Sequence, residues 1–257
     1  MKLFSASNTH NRGGFPMIPA HIVIAGASGG IGHALVLEAS ARWPDALIHA
    51  VSRGPQTFAS PNIKTYKFDL TQFSDCETFV KKLSESTAKI QLAIYAIGTL
   101  NGTGKRPEKS LSEVDDRSLG ETFRINVSGA IAFAKALKPL FRNPDPSRLL
   151  FLSAKVGSIG DNKSGGWYSY RISKAGLNMA VKNLAFEYSR ANCATVLAAV
   201  HPGTTLTDFS KDYVENWEKG KVSEPEVTAA RLLDLAAVLK ETDSGRFMHW
   251  DGSTIEN

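Results

Sequence analysis

A phenol and an amine four residues apart, Tyr170 and Lys174, carry the most chemistry in this sequence, within Gly165-Gly166-Trp167-Tyr168-Ser169-Tyr170-Arg171-Ile172-Ser173-Lys174. On a helix, both side chains leave one face and can meet above it. A cation beside a phenol favours the phenolate and makes tyrosine an acid or base near neutral pH. Moving a phenol pKa from about 10 to about 7 takes roughly 4 kcal/mol, and a charge about 4 Å away at an effective dielectric of about 20 supplies a similar amount. Two solvated surface residues have the same spacing, so the elements around the pair must decide what it means.

Those elements alternate. His21 to Ala25 is apolar and β-branched, as a strand buried on both faces of a parallel sheet would be. Gly26-Ala27-Ser28-Gly29-Gly30-Ile31-Gly32 follows, then a helix from His33 to Arg42 stopped by Trp43-Pro44. A glycine turn between strand and helix lets backbone N–H groups and a helix N-terminus approach a pyrophosphate, which makes Gly26, Ser28, Gly30, Ile31 and Gly32 candidate cofactor contacts. The plain alternative is a tight connection.

Ala46 to Ser52 reads as a second strand ending in Ser52-Arg53, where a dinucleotide fold that takes NAD offers a carboxylate to the ribose. An arginine there can make forked bonds to the extra phosphate of NADP, so NADP(H) is expected over NAD(H), with a solvated strand-end arginine as the alternative. After a third strand, Ile63 to Phe68, come Asp69 and Leu70 at the adenine edge. Asp69 either accepts from the adenine amino group or caps the helix Phe73 to Leu83.

Ile90 to Ile97 is a fourth strand, and Leu111 to Phe141 is mostly helical, its apolar face interrupted by Asn126. Leu149 to Leu152 is a fifth strand, followed by Ser153-Ala154-Lys155-Val156-Gly157-Ser158, and the Tyr170 helix runs to about Arg190. Thr195 to Val200 is a sixth strand, leading into His201-Pro202-Gly203 and Thr207. The polar, aromatic stretch to Lys221 suits a flap over a site. Ser223 to Glu226 has capping-box spacing for a helix through Leu239, and Phe247 to Trp250 supplies a last strand. Strands alternating with helices imply parallel βαβ units in one domain, residues 20–257, behind an N-terminal extension, residues 1–19.

With 257 residues and 42% apolar content, the chain can bury a sizeable core. Its +5 charge is spread in short groups among acids, so no basic stripe points to nucleic acid. Cys76 and Cys193 lack metal-ligand spacing and read as reduced thiols, and no metal site is expected. Without a signal peptide or membrane span, a soluble cytoplasmic protein is expected.

In joint order and spacing, Gly26-x-x-x-Gly30-x-Gly32, Asp69, Asn126-Val127, Tyr170-x-x-x-Lys174, Pro202-Gly203, Ser244-Gly245-Arg246-Phe247 and Trp250-Asp251-Gly252 resemble the short-chain dehydrogenase/reductase family over residues 20–252. The chain looks most like the branch containing C-factor and sniffer-type carbonyl reductases. The resemblance implies a single-domain, Rossmann-like, doubly wound parallel α/β sheet of about seven strands with helices on both faces. It implies hydride transfer between NADP(H) and a small carbonyl or alcohol, with Tyr170 as general acid or base. Lys174 would lower the tyrosine pKa and bind the nicotinamide ribose, Asn126 would hold a water, and Pro202, Gly203 and Thr207 would contact the nicotinamide. A homodimer or homotetramer packed through the long helices is the implied assembly.

Three departures from the family pattern stand out, the second bearing on sheet-edge hydrogen bonds rather than on chemistry. Ala154 stands where the family places its substrate-orienting serine, leaving Ser153, with Ser158 as the competing hydroxyl. Tyr95-Ala96-Ile97-Gly98 replaces Asn-Asn-Ala-Gly, and Ala25 replaces a threonine. Trp167 and Tyr168 are candidates for the pocket wall or for buried packing. The rival reading is a nucleotide-binding regulatory or scaffold protein with weak catalysis. A dehydratase or epimerase would need more room than the compact C-terminal part leaves.

Overall fold

Seven strands form one parallel sheet: β1 (His21–Ala25), β2 (Leu47–Ser52), β3 (Ile63–Lys67), β4 (Leu92–Tyr95), β5 (Ser147–Leu152), β6 (Thr195–His201) and β7 (Arg246–His249), in the order β3-β2-β1-β4-β5-β6-β7. The computed structural model describes residues 18–141, 146–191, 193–214 and 220–257; residues 1–17 of the expected N-terminal extension and 215–219 of the expected flap lie outside them. Alternation along β1 sends Ile22 and Ile24 to one face and Val23 and Ala25 to the other.

Helices α1 (Gly30–Arg42) and α7 (Pro225–Val238) cover the first face with Leu35, Val36, Leu232 and Leu233. The second face carries α2 (Phe73–Ser84), α4 (Gly129–Leu137) and α5 (Tyr168–Arg190), with Phe79, Phe133, Leu177 and Val181 inward. Helix α3 (Asp116–Phe123) precedes α4, and a single turn, α6 (Lys211–Val214), follows β6. Polar residues open β5, where Ser147 pairs with Thr195 and Arg148 donates to the Leu239 carbonyl.

The sheet has two different edges. On β3, Lys64, Thr65 and Lys67 are exposed. Beyond β7 the chain folds back on itself, His249 N–H donating to the Ser253 carbonyl and Ile255 N–H to the Phe247 carbonyl.

The segment expected to be mostly helical from Leu111 to Phe141 is broken. A 3₁₀ turn at Leu111–Glu113 precedes α3, a π turn at Arg124–Ser128 joins α3 to α4, and a 3₁₀ turn follows at Lys138–Phe141. The π turn has a cause in β4: buried Tyr95 donates its hydroxyl to the Ile125 carbonyl at 3.3 Å. A Cβ on Gly129 would lie 2.5 Å from that hydroxyl.

Two caps differ from the sequence reading, one of them the alternative role left open for Asp69. The Asp69 carboxylate takes the Thr71 N–H and hydroxyl on Oδ1, making a local Asx turn, and α2 starts instead at Gln72. The capping box of Ser223–Glu226 is absent: α7 begins behind Glu224 with Pro225 at its first position, and Ser223 Oγ accepts from Arg231.

Candidate active site

The sheet order reverses between β1 and β4, and the loops leaving the carboxyl ends of the strands line the crevice there, where open α/β sheets bind ligands. At β1 the glycine turn is drawn tight. Gly26 has φ +90°, and a Cβ on Gly32 would lie 2.1 Å from the Gly26 carbonyl oxygen. Ser28, Gly29 and Gly30 face outward as an open rim at the start of α1, with Ile31 half-buried behind them. Thr207 reaches over this rim from the far side, since a Cβ on Gly30 would meet its methyl at 2.5 Å. The glycines thus leave an open concavity at the start of α1, where the helix N-terminus makes a fit for a phosphate.

The other expected cofactor residues lie along the same edge. Ser52, also a candidate cofactor contact, is buried and donates its hydroxyl to the Gly54 carbonyl at 2.7 Å. Arg53 is exposed and makes no hydrogen bond or ion pair among the described residues. Leu70 is buried beside Asp69, whose Oδ2 stays open. Pro202 is buried, and Gly203, at φ +83°, leaves room for the Trp250 ring.

Tyr170 and Lys174 sit in the first turns of α5 on one buried face, as their spacing predicts, 7% and 3% exposed. Lys174 Nζ donates to the Leu152 carbonyl at the end of β5 (2.8 Å) and lies 5.7 Å from the centre of the Tyr170 ring. Burial pushes the Tyr170 phenol above its ordinary value and pulls the Lys174 ammonium down to about 7. In the chain alone, desolvation therefore outweighs the expected lowering of the phenol by its lysine.

Asn126 is fully buried in the π turn. Its Oδ1 accepts from Thr99 N–H (2.8 Å), and its Nδ2 donates to the Thr99 carbonyl (2.8 Å) and to Ser173 Oγ (2.9 Å). Ser173 in turn donates to the Tyr170 carbonyl. With both amide hydrogens committed, the Asn126 side chain acts as a clamp between the loop after β4 and α5 rather than as a donor to water. It still faces the lysine: a Cβ on Gly98 would lie 3.4 Å from Asn126 Oδ1 and 3.5 Å from Lys174 Nζ.

The two candidate serines separate. Ser153 donates to Asn178 Oδ1 at 2.6 Å, so its hydroxyl hydrogen ties the end of β5 to α5. Ser158, also buried, accepts from Asp161 N–H at 3.1 Å, and its hydroxyl hydrogen has no acceptor among the described residues. Ala154 is buried between them in sequence.

Rings enclose the phenol. Trp167 meets Tyr170 edge-on at 6.1 Å and Tyr213 at 5.1 Å, and Phe209 lies 6.1 Å from Tyr170. Phe209 and Tyr213 belong to the expected flap, but only their contacts across space reveal them as wall residues. Tyr168 is half-buried. Trp167 has φ 51° and ψ 42°, a left-handed conformation costing a bulky residue about 1–3 kcal/mol. Its N–H donates to the Glu108 carbonyl, and the Glu108 carboxylate, 2% exposed, accepts from the Ser169 hydroxyl and N–H. Nothing in the local sequence around Glu108 signals this contact.

Elsewhere, Cys76 and Cys193 are buried, and burial raises the Cys76 thiol to about 12. Among the described residues no cluster of metal-ligating side chains occurs and no helix is long and apolar enough to cross a membrane.

Known proteins are similar to this chain in sequence or in fold. A curated relative, 1-hydroxy-2-glutathionyl-2-methyl-3-butene dehydrogenase of a Rhodococcus species, is 28% identical over 235 residues, 91% of this chain and 98% of the relative. C-signal of Myxococcus xanthus is 30% identical over 152 residues, 57% of this chain and 82% of that protein. The solved structure of NADPH-bound carbonyl reductase from chicken fatty liver superposes with a TM-score of 0.80 at 21% identity, covering 94% of this chain and all of that one (100%). The model of the short chain dehydrogenase family matches residues 20–218, and on that match, with the seven-stranded sheet and its cleft, this chain belongs to the short-chain dehydrogenase family.

Proposed function

We propose that the protein is an NADP(H)-dependent reductase of small or medium apolar carbonyl compounds, or an alcohol dehydrogenase in the reverse direction. The observation that carries this reading is the buried Tyr170–Lys174 face lying under aromatic rings at the edge of the sheet that also presents the glycine cradle. Gly26, Gly30, Ile31, Gly32 and Ser28 would hold the pyrophosphate, Arg53 the 2′-phosphate, and Pro202, Gly203 and Thr207 the nicotinamide end. The uncommitted Arg53 guanidinium favours the phosphorylated cofactor, as does the NADPH bound to the chicken relative.

When bound, NADPH supplies the hydride. The chain's own part is the proton and the geometry. Tyr170 Oη donates its proton to the carbonyl oxygen as charge develops there, and the high pKa set by burial keeps that proton in place until it is needed. Lys174, held by the Leu152 carbonyl, brings positive charge to the same face and stabilises the phenolate left behind. Asn126 and Ser173 hold the turn of α5 that bears both groups. With Ser153 committed to Asn178, the hydroxyl that fits the carbonyl oxygen is that of Ser158. Trp167 and Phe209 keep water from the phenol and accept an apolar substrate.

Ala154 is the observation that favours a second reading, a nucleotide-binding protein with weak catalysis. A panel of benzil, menadione, acetophenone and benzaldehyde with NADPH, followed by loss of the near-ultraviolet absorbance of the reduced cofactor, separates the two. Turnover of at least one member is expected. Tight NADPH binding with no turnover across the panel would hand the case to the binding protein.

A further inference from the structure

Helix α5 starts in an unusual way. Its N-cap is Trp167, whose indole offers no oxygen to the free N–H groups of the first turn, and no side-chain cap bond comes from it. The missing acceptor arrives from another part of the chain. Glu108, in the loop between β4 and α3, takes the Ser169 N–H on one carboxylate oxygen (3.2 Å) and the Ser169 hydroxyl on the other, while its own carbonyl takes the Trp167 N–H. This carboxylate is 2% exposed and makes no ion pair with any described cation. A buried carboxylate is tolerated here because it receives N–H and O–H donors at a helix N-terminus, where the partial positive charge of the helix complements it.

We propose that Glu108 is a positioning residue for Tyr170, a claim that rests on reading Tyr170 as the acid. By capping from a distance, Glu108 joins the substrate-side loop to the first turn of α5 and holds Trp167 in its left-handed conformation against the Tyr170 ring. Tyr170 follows Ser169 directly, so slack at Ser169 becomes misplacement of the phenol. Reactions that depend on alignment lose rate steeply when a group moves by about an ångström. The loop between β4 and α3 is thereby part of the catalytic geometry without touching the reacting atoms.

The test compares Glu108→Ala, Glu108→Gln and Ser169→Ala in the full chain. Gln keeps an acceptor for the Ser169 N–H and can donate to the Ser169 hydroxyl, so it preserves the cap without the charge. With NADPH and the panel carbonyl turned over fastest, Glu108→Ala is expected to lower kcat roughly 10- to 100-fold. KM should change less than about threefold and the NADPH Kd should stay as in the parent, as for other alignment losses. Glu108→Gln should recover kcat to within a few-fold of the parent, and Ser169→Ala should fall between the two.

Unchanged kcat in the Ala variant, or a Gln variant as slow as Ala, would overturn the proposal. If Glu108→Ala does not fold, the Gln and Ser169→Ala variants still decide it. Should the parent itself turn over nothing, the functional reading has failed, and amide hydrogen exchange judges the cap alone. Exchange at residues 167–171 should rise more than about tenfold in Ser169→Ala while the rest of α5 is unmoved, as expected for local opening. No change there would sink the cap as well.

Discussion

At the glycine turn, Gly32 lies so close to Gly26 that an added Cβ would sit 2.1 Å from its carbonyl oxygen, whereas at the start of α5 the bulky Trp167 occupies the left-handed backbone (φ 51°) that glycine adopts freely. One wall of the cleft is made by withholding side chains, the other by forcing a large one into place. The difference follows from the role proposed for each wall. A phosphate is bound by backbone N–H groups, which only glycine uncovers. An apolar carbonyl is enclosed by surface that excludes water, which only large rings provide. The glycines that open the first wall are neighbours in sequence, whereas the second wall is held from another loop, through Glu108.

The largest expected effect separates the walls outright. Tyr170→Phe should lower kcat by about 10²- to 10⁴-fold, the usual share of a general acid, and leave the NADPH Kd unchanged. A loss of cofactor affinity in that variant would mean that the walls are not independent.

Gly32→Ala probes the other side. The turn must move to admit the methyl, and overpacking of this kind costs about 1–3 kcal/mol. An NADPH Kd weaker by about 10- to 100-fold is expected, read by the fluorescence of bound NADPH, and a Kd equal to the parent's would show that the cradle tolerates a side chain. Arg53→Ala should weaken NADPH about tenfold, the lower range for a lost charged hydrogen bond, and leave NADH alone. Equal loss for both cofactors would remove Arg53 from the 2′-phosphate.

A separate effect is on stability without cofactor. Burial lowers Lys174 from 10.5 to about 7 in the folded chain, so between these values the unfolded chain holds a proton that the folded chain has released. Stability from this group therefore rises with pH across that window and falls on return toward neutrality. Urea unfolding of the parent and Lys174→Met at several pH values should show this slope in the parent only. Identical slopes would mean that the ammonium remains protonated in its buried site.

The same contrast explains what could be read from residues alone. The strands appear as runs such as Ile22–Ala25, and the cradle appears as glycines between a strand and a helix, because both depend on near neighbours. Tyr170 and Lys174 come together because helical spacing brings them together. The clamp on Asn126 depends on Thr99, 27 residues away, and the cap on α5 depends on Glu108, 61 residues from Ser169. No periodicity records such pairs. The π turn was hidden for the same reason, since its partner, Tyr95, lies 30 residues earlier on β4. The residue type of Ser153 suits either role, and its bond to Asn178, 25 residues away, is equally absent from any local pattern.

The two sheet edges bear on how copies of this chain can meet. Along β3 an incoming strand would have to approach between Lys64 and Lys67, and along β7 the returning chain already occupies part of the margin. Charge on one edge and chain on the other oppose strand-to-strand growth, the route by which sheets polymerise. The helices offer apolar surface instead, with Ile172, Met179 and Phe186 exposed on α5. Association through that surface would tie the number of copies in solution to the helix that carries Tyr170.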